Sequence, residues 1–161
     1  MQSNHYGTVA IHPHPIQFAI DESPLMTICM AGLVYGGMED MPLNGLAVAA
    51  SLLLLPVLLY RFICLRRISY HIGPEQLVSE HGLFVRKVDY MELYRVVDFQ
   101  EHQNFLQQLF GLKTVRILSM DRNTPRLDLI GIRHSHDIVT IIRERVEHNK
   151  QKKGIYEITN S

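Results

Sequence analysis

Hydrophobic positions change their spacing twice along this chain. Residues 23–38, SPLMTICMAGLVYGGM, and residues 43–60, LNGLAVAASLLLLPVLLY, are near-continuous apolar runs; the second holds 18 residues without a formal charge and resumes as FICL after Arg61. A bilayer core takes about 20 apolar residues at 1.5 Å each, so the second run is long enough to span with Arg61 snorkelling. The first has 16 residues, with Pro24, Gly32, Gly36 and Gly37 lowering its helicity, and is marginal for a span.

Beyond Arg67 the period falls to two. ISYHI (68–72), QLVSE (76–80), LFVRKV (83–88), RVVDFQE (95–101), KTVRILS (113–119) and RLDLIGI (126–132) read as strands, with MEL (91–93) continuing extended structure. Gly73-Pro74-Glu75 is one turn, and His81-Gly82 is the two-residue connector of a hairpin. A last helix should begin at Ser135 as its cap, with Asp137 near the positive end of its dipole. Ile138, Ile141, Ile142 and Val146 form its apolar stripe, opposite Arg143, Glu144, Glu147 and His148. Six or seven short strands closed by one amphipathic helix predict a mainly β, α+β domain over 68–148: a small, partly open barrel capped by its C-terminal helix. Residues 1–22 and 149–161 are left as tails.

Two apolar runs joined by the short acidic connector 39–44 predict a membrane helical hairpin over 23–67, about 23–38 and 43–65. Gly32 and Gly36 in the first run and Gly45 and Ala49 in the second are small residues at matched depth, which lets the two backbones approach. Charge then sets an orientation. Residues 1–60 contain no Lys or Arg and carry Asp21, Glu22, Glu39 and Asp40; all 16 basic residues lie at or after Arg61, with 12 acidic ones. Arg61, Arg66 and Arg67 flank the second run, so the positive-inside bias places the C-terminal domain in the cytoplasm, at the inner membrane of a bacterium. If both runs span, the N-terminal 22 residues are cytoplasmic too; if only the second spans, they lie outside. The lack of a basic N-terminal region argues against a signal peptide.

The segment 104–118, NFLQQLFGLKTVRIL, passes from helical spacing to strand alternation at Gly111. A seven-residue helix does not persist alone, so its apolar side is expected to lie on the sheet. Within LYRVVDFQEHQNFLQQLFGLKTVRI (93–117), Gln103, Leu106, Gln107, Leu109, Phe110, Gly111, Thr114 and Val115 resemble the signature of the bacterial pleckstrin-homology (PH)-like domain of small membrane-anchored proteins. The layout of paired membrane helices, a basic join and a domain is similar to that family as well. The resemblance implies a PH-like barrel with a capping helix, and by itself no activity.

Candidate chemistry is sparse. No Asp, Glu, Lys or His falls inside either run, which argues against transport by this chain alone. The histidine pairs 12/14 and 134/136 lack the convergent partners of a metal site, and Cys29 and Cys64 sit in apolar surroundings as reduced thiols. No nucleophile or phosphate-loop motif is present, so neither an enzyme nor a cofactor is expected. The arginines of 116–133 are dispersed among acids, which disfavours nucleic acid as a partner. The connector of 73–75 is short and acidic, unlike a phosphoinositide-gripping loop. Two surfaces remain. Arg61, Arg66, Arg67, Arg86 and Lys87 are candidate contacts for anionic lipid headgroups. Phe105, Leu106, Gln107, Gln108 and Phe110 are a candidate surface for a protein partner or a second copy of the chain. The functions these suggest are a membrane-anchored binding or scaffolding module, a sensor of anionic headgroups, or an accessory subunit of a larger membrane complex.

Overall fold

A computed structural model of the chain describes residues 6–38 and 42–154; the acidic pair Glu39 and Asp40 and the segment 155–161 lie outside the described residues. In chain order the elements are β1 (Val9–Ile11), α1 (Ile16–Asp21), α2 (Ser23–Gly36), α3 (Asn44–Arg66), β2 (Ser69–Ile72), β3 (Gln76–His81) and β4 (Lys87–Glu92). A 3₁₀ turn (Leu93–Arg95) leads to β5 (Val96–His102), α4 (Phe105–Leu109), β6 (Leu112–Ser119), β7 (Arg126–Arg133) and α5 (Ile138–Lys152). The strands form two antiparallel sheets, ordered β1-β2-β3-β4 and β5-β6-β7. No ladder among the described residues joins the two sheets, so the barrel is not closed.

The alternation of each strand sends one set of side chains into a shared core. Tyr70, Ile72, Leu77 and Met91 from the first sheet meet Val96, Val115, Ile117, Leu127 and Leu129 from the second. Ile138, Ile142 and Val146 of α5 cover the open face, as the stripe predicts, while its fourth member, Ile141, is only half-buried and lies outside this core. Tyr70 crosses between the sheets: its hydroxyl donates to the Asp128 carbonyl at 3.1 Å and accepts from the Ile130 N–H at 3.2 Å.

Four expectations change here. Residues 1–22 are not merely a tail: Val9, Ala10 and Ile11 pair with Ile72, His71 and Tyr70, and α1 follows. The hairpin therefore interrupts the domain between its first two strands. Second, residues 82–86 form a longer loop and β4 starts only at Lys87. Gly82 at φ +105° packs so closely on the Val85 carbonyl that any Cβ would overlap it, so the chain curls there rather than turning in two residues. Third, Asp137, not Ser135, caps α5, accepting from the Thr140 N–H at 3.3 Å. Fourth, α5 runs past residue 148 to Lys152, because its buried face carries polar groups the apolar stripe did not include. Arg145 is buried and donates to the carbonyls of Ile72 (2.6 Å), Gly73 (2.9 Å) and Gly7 (2.9 Å), while Asn149 donates to Pro74 O at 2.6 Å. Both lie on the same face as Ile142 and Val146.

In the hairpin, α2 packs along α3, but only half the expected glycine match is present. A Cβ on Gly32 would overlap Ser51 Oγ, and one on Gly36 would overlap the Val48 side chain and sit 3.1 Å from Asn44 O. Cys29 Sγ donates to Ser51 O at 3.5 Å, and buried Ser51 returns its own hydroxyl to Ala47 O at 2.9 Å. Gly45 and Ala49 face outward, and Gly45 has open space around it. Equal depth is not enough: 3.6 residues per turn rotates Ala47, Val48 and Ser51, not 45 and 49, onto the seam.

Gly36→Val should therefore destabilise the protein by about 1–3 kcal/mol through overpacking, whereas Gly45→Val should be near neutral. Thermal unfolding in mild detergent measures the difference. A second expectation concerns alkaline pH. Burial pushes the Tyr70 hydroxyl from 10.0 up to about 12. The unfolded chain releases this proton at lower pH than the folded one, so stability is retained below pH 10 and falls as pH rises towards 12. The loss should reach about 2–3 kcal/mol. Tyr70→Phe should remove this part of the alkaline decline, at a cost of about 1–2 kcal/mol at neutral pH for the lost hydrogen bonds.

Candidate functional site

The region where chemistry gathers is the junction between the helical hairpin and the two-sheet domain. Glu22, at the bend between α1 and α2, meets Arg61 on α3 at 2.7 Å. One turn away on α1, Phe18 packs edge-on against Phe62 at 5.2 Å between centroids. On the other side of α3 the Phe84 ring stacks on Tyr60, 6.1 Å apart and inclined by 14°. Phe18, Glu22, Tyr60, Arg61, Leu65 and Gly82 line a largely apolar cleft of about 460 Å³ at this level. Asp21 also borders it, and burial raises its carboxyl above the usual range; the Gln17 hydrogen bond opposes that shift and neighbouring Glu22 adds to it.

The five candidate headgroup cations are not equivalent. Arg61 pairs with Glu22, Arg86 with Glu80 at 2.6 Å, and Lys87 with Asp89 at 3.5 Å. Arg66 and Arg67 pair with no carboxylate among the described residues and lie at the very end of α3. A second cleft, of about 400 Å³, lies between β1, β7 and α5 and carries His12, His14, Arg133 and His136. His14 is held below its ordinary pKa by burial first and by Arg133 second. Among the described residues no group of three or more His, Cys, Asp or Glu side chains is placed to hold a metal ion.

The expected partner surface divides in an unexpected way. Asn104 Oδ1 accepts from the Gln107 N–H at 2.7 Å and Gln107 Oε1 accepts from the Asn104 N–H at 3.1 Å, a reciprocal cap that starts α4. The Gln107 amide then donates to Gln17 Oε1 and Thr114 Oγ1, each at 3.0 Å, and Gln17 donates to Asp21 at 2.8 Å. Gln107 is thus buried and structural, linking β6, α4, α1 and the hairpin root. Gly131, at φ +65°, leaves room for Gln17; a Cβ there would come within 2.9 Å of the Gln17 Cβ. Leu106 is half-buried and Gln108 exposed, while Phe105 is 78% exposed, with Leu109 and Phe110 also open. The apolar side of α4 therefore faces away from the sheet, because the polar cap chain occupies the inner side. The N-x-x-Q spacing of the cap is visible in the sequence; Gln17 and Asp21, some 90 residues away, carry no local sign of their role.

Residues 26–146, about three quarters of the chain, match the Bacterial PH domain family. The chain belongs to that family. No curated protein and no solved structure matches it. Two antiparallel sheets with a capping helix agree with a PH-like domain. β1 and α1 precede the matched bacterial PH segment, yet β1 completes its first sheet. The residues of the PH-like signature divide: Gln103 donates to Leu112 O at 2.8 Å, Gln107 and Thr114 form the buried link, Val115 lies in the core and Gly111 at φ +64° turns α4 into β6, whereas Leu109 and Phe110 are exposed.

Gln107→Ala should leave Gln17 and Thr114 without this partner and remove half of the α4 cap, costing about 2–3 kcal/mol. Gln108→Ala, on the exposed side, should stay within about 0.5 kcal/mol of the parent. Thermal unfolding of the two full-length variants, with limited proteolysis near α4, checks both the order and the location of the loss.

Proposed function

We propose that this chain is a non-enzymatic, membrane-anchored PH-like binding module. The hairpin holds the barrel against the cytoplasmic leaflet of a bacterial inner membrane, and α4 offers Phe105, Leu109 and Phe110 to a protein partner or a second copy. The observation that carries this reading is the place of the hairpin within the first sheet. β1 precedes α2 and pairs with β2, which follows α3, so both ends of the hairpin return to one ladder. A chain tied in this way keeps its N-terminal strand on the same side of the bilayer as the barrel. Crossing by α3 then requires return by α2.

The dimensions of α3 support its insertion. α3 has 23 residues, about 34 Å of helix, and only 11% of its most apolar window is buried. A helix inside a soluble domain would bury most of that surface; this one leaves Leu46, Leu53 and Leu59 open. It is the one helix among the described residues long and apolar enough to cross a membrane. α2 has 14 residues, about 21 Å, shorter than the roughly 30 Å hydrocarbon core, so a two-pass hairpin would thin the bilayer locally. The sensing of anionic headgroups is the second reading, and unpaired Arg66 and Arg67 favour it.

Two measurements test the proposal. Tags at the two termini should be accessible from the same side of sealed membrane vesicles; opposite sides would remove the hairpin. Phe105→Asp combined with Leu109→Asp should leave thermal stability nearly unchanged, since both side chains are exposed, and should abolish a partner or self-association seen with the parent in mild detergent. Unchanged association would rule out α4 as the binding face. Loss of anionic-liposome preference on Arg66→Gln/Arg67→Gln, with association intact, would favour headgroup sensing.

A further inference from the structure

We propose that the tip of the β3–β4 loop, Phe84 and Val85, is a second membrane contact, inserted into the apolar edge of the leaflet that α3 enters. The inference rests on α3 being inserted, and goes beyond it by assigning a bilayer role to the barrel itself. Phe84 is 85% exposed and Val85 80% exposed, and they are adjacent at the crest of the loop. Large apolar side chains held outward in a folded loop call for an occupant. The loop is built to hold them there: Gly82 folds tightly under the Val85 carbonyl, and the Arg86–Glu80 pair ties the far side back to β3.

The position of the crest names the occupant. Tyr60, on which Phe84 stacks, is the last residue of the uncharged run, and Arg61, the next residue, marks the polar boundary with Glu22. An aromatic ring at that depth lies in the interfacial belt, and its stacked neighbour lies there with it. The apolar surface of α3 and the crest are thus continuous through the Tyr60–Phe84 pair. Charge does not oppose this. Arg86 and Lys87 are paired with Glu80 and Asp89, leaving the base of the loop locally neutral. Insertion is therefore driven by apolar burial rather than by attraction to anionic lipid. It fixes the barrel at a second point and sets its tilt on the membrane.

The chain contains no tryptophan, so single Trp variants report one place each. Full-length Phe84→Trp, Leu53→Trp and Met120→Trp would be reconstituted in phosphatidylcholine/phosphatidylglycerol vesicles with and without brominated phosphatidylcholine. Leu53 is an exposed position in the middle of α3, and Met120 an exposed one at the β6–β7 turn, a strand length from the Gln107–Thr114 link to α1. The expected result is strong quenching at 53, clear quenching at 84 and none at 120. Stacking on Tyr60 alone would shift the emission at 84 without quenching, so bromine sensitivity decides. Quenching at 53 with none at 84 would overturn the loop insertion and leave the inserted hairpin standing. No quenching at 53 would overturn both. Equal quenching at 84 and 120 would overturn a specific tip contact.

Discussion

Three residue pairs between β1 and β2 impose the constraint on which the rest of the molecule depends. They close the chain on both sides of the hairpin, so α2 and α3 leave and re-enter the domain at one sheet edge. A ladder this short is weak alone, and α5 reinforces it. Arg145 reaches across to the carbonyls of Gly7, Ile72 and Gly73, binding the backbone just before β1 to the end of β2. A guanidinium suits this position because its fixed fork offers several donors to carbonyls that point in different directions. The Nε of Arg145 has no hydrogen-bond partner among the described residues, and the Tyr6 ring lies 5.5 Å from the guanidinium carbon as partial compensation.

The same economy of polar groups explains α4. A five-residue helix has too few residues to cap itself and bury an apolar face at once. Asn104 and Gln107 satisfy the orphan amides, and Gln107 carries on to Gln17 and Thr114 inside the domain. With its inner side taken by amides, the helix turns Phe105 and Leu109 to the outside. The stretch around α4 thus builds a buried polar joint, and the exposed Phe105, Leu109 and Phe110 are its geometric consequence.

Charge at the junction between the helical hairpin and the sheets is largely cancelled within the chain. Arg61, Arg86 and Lys87 each have a carboxylate partner, and exposed pairs of this sort contribute little to stability. They do fix geometry: Glu22–Arg61 aligns the bend of α1 and α2 with α3, beside the Phe18–Phe62 contact. Apolar contact and topology, more than cationic attraction, organise the junction.

Local spacing determined much of this protein by itself. The uninterrupted apolar run placed α3, alternation located most of the strands, and the stripe of Ile138, Ile142 and Val146 predicted the capping helix. These are signals within a few residues, where period and burial are linked directly. The three-residue β1 could not be recognised that way, since its reason for being extended is a partner some 60 residues later. Likewise, Gln107 and Arg145 look like surface residues until Gln17 and the Ile72 carbonyl are brought to them. The rotation of α3 against Gly32 and Gly36 selected Ala47, Val48 and Ser51 over Gly45 and Ala49. Periodicity states which side of an element is apolar; only tertiary contact decides what that side meets and which polar groups are satisfied by burial.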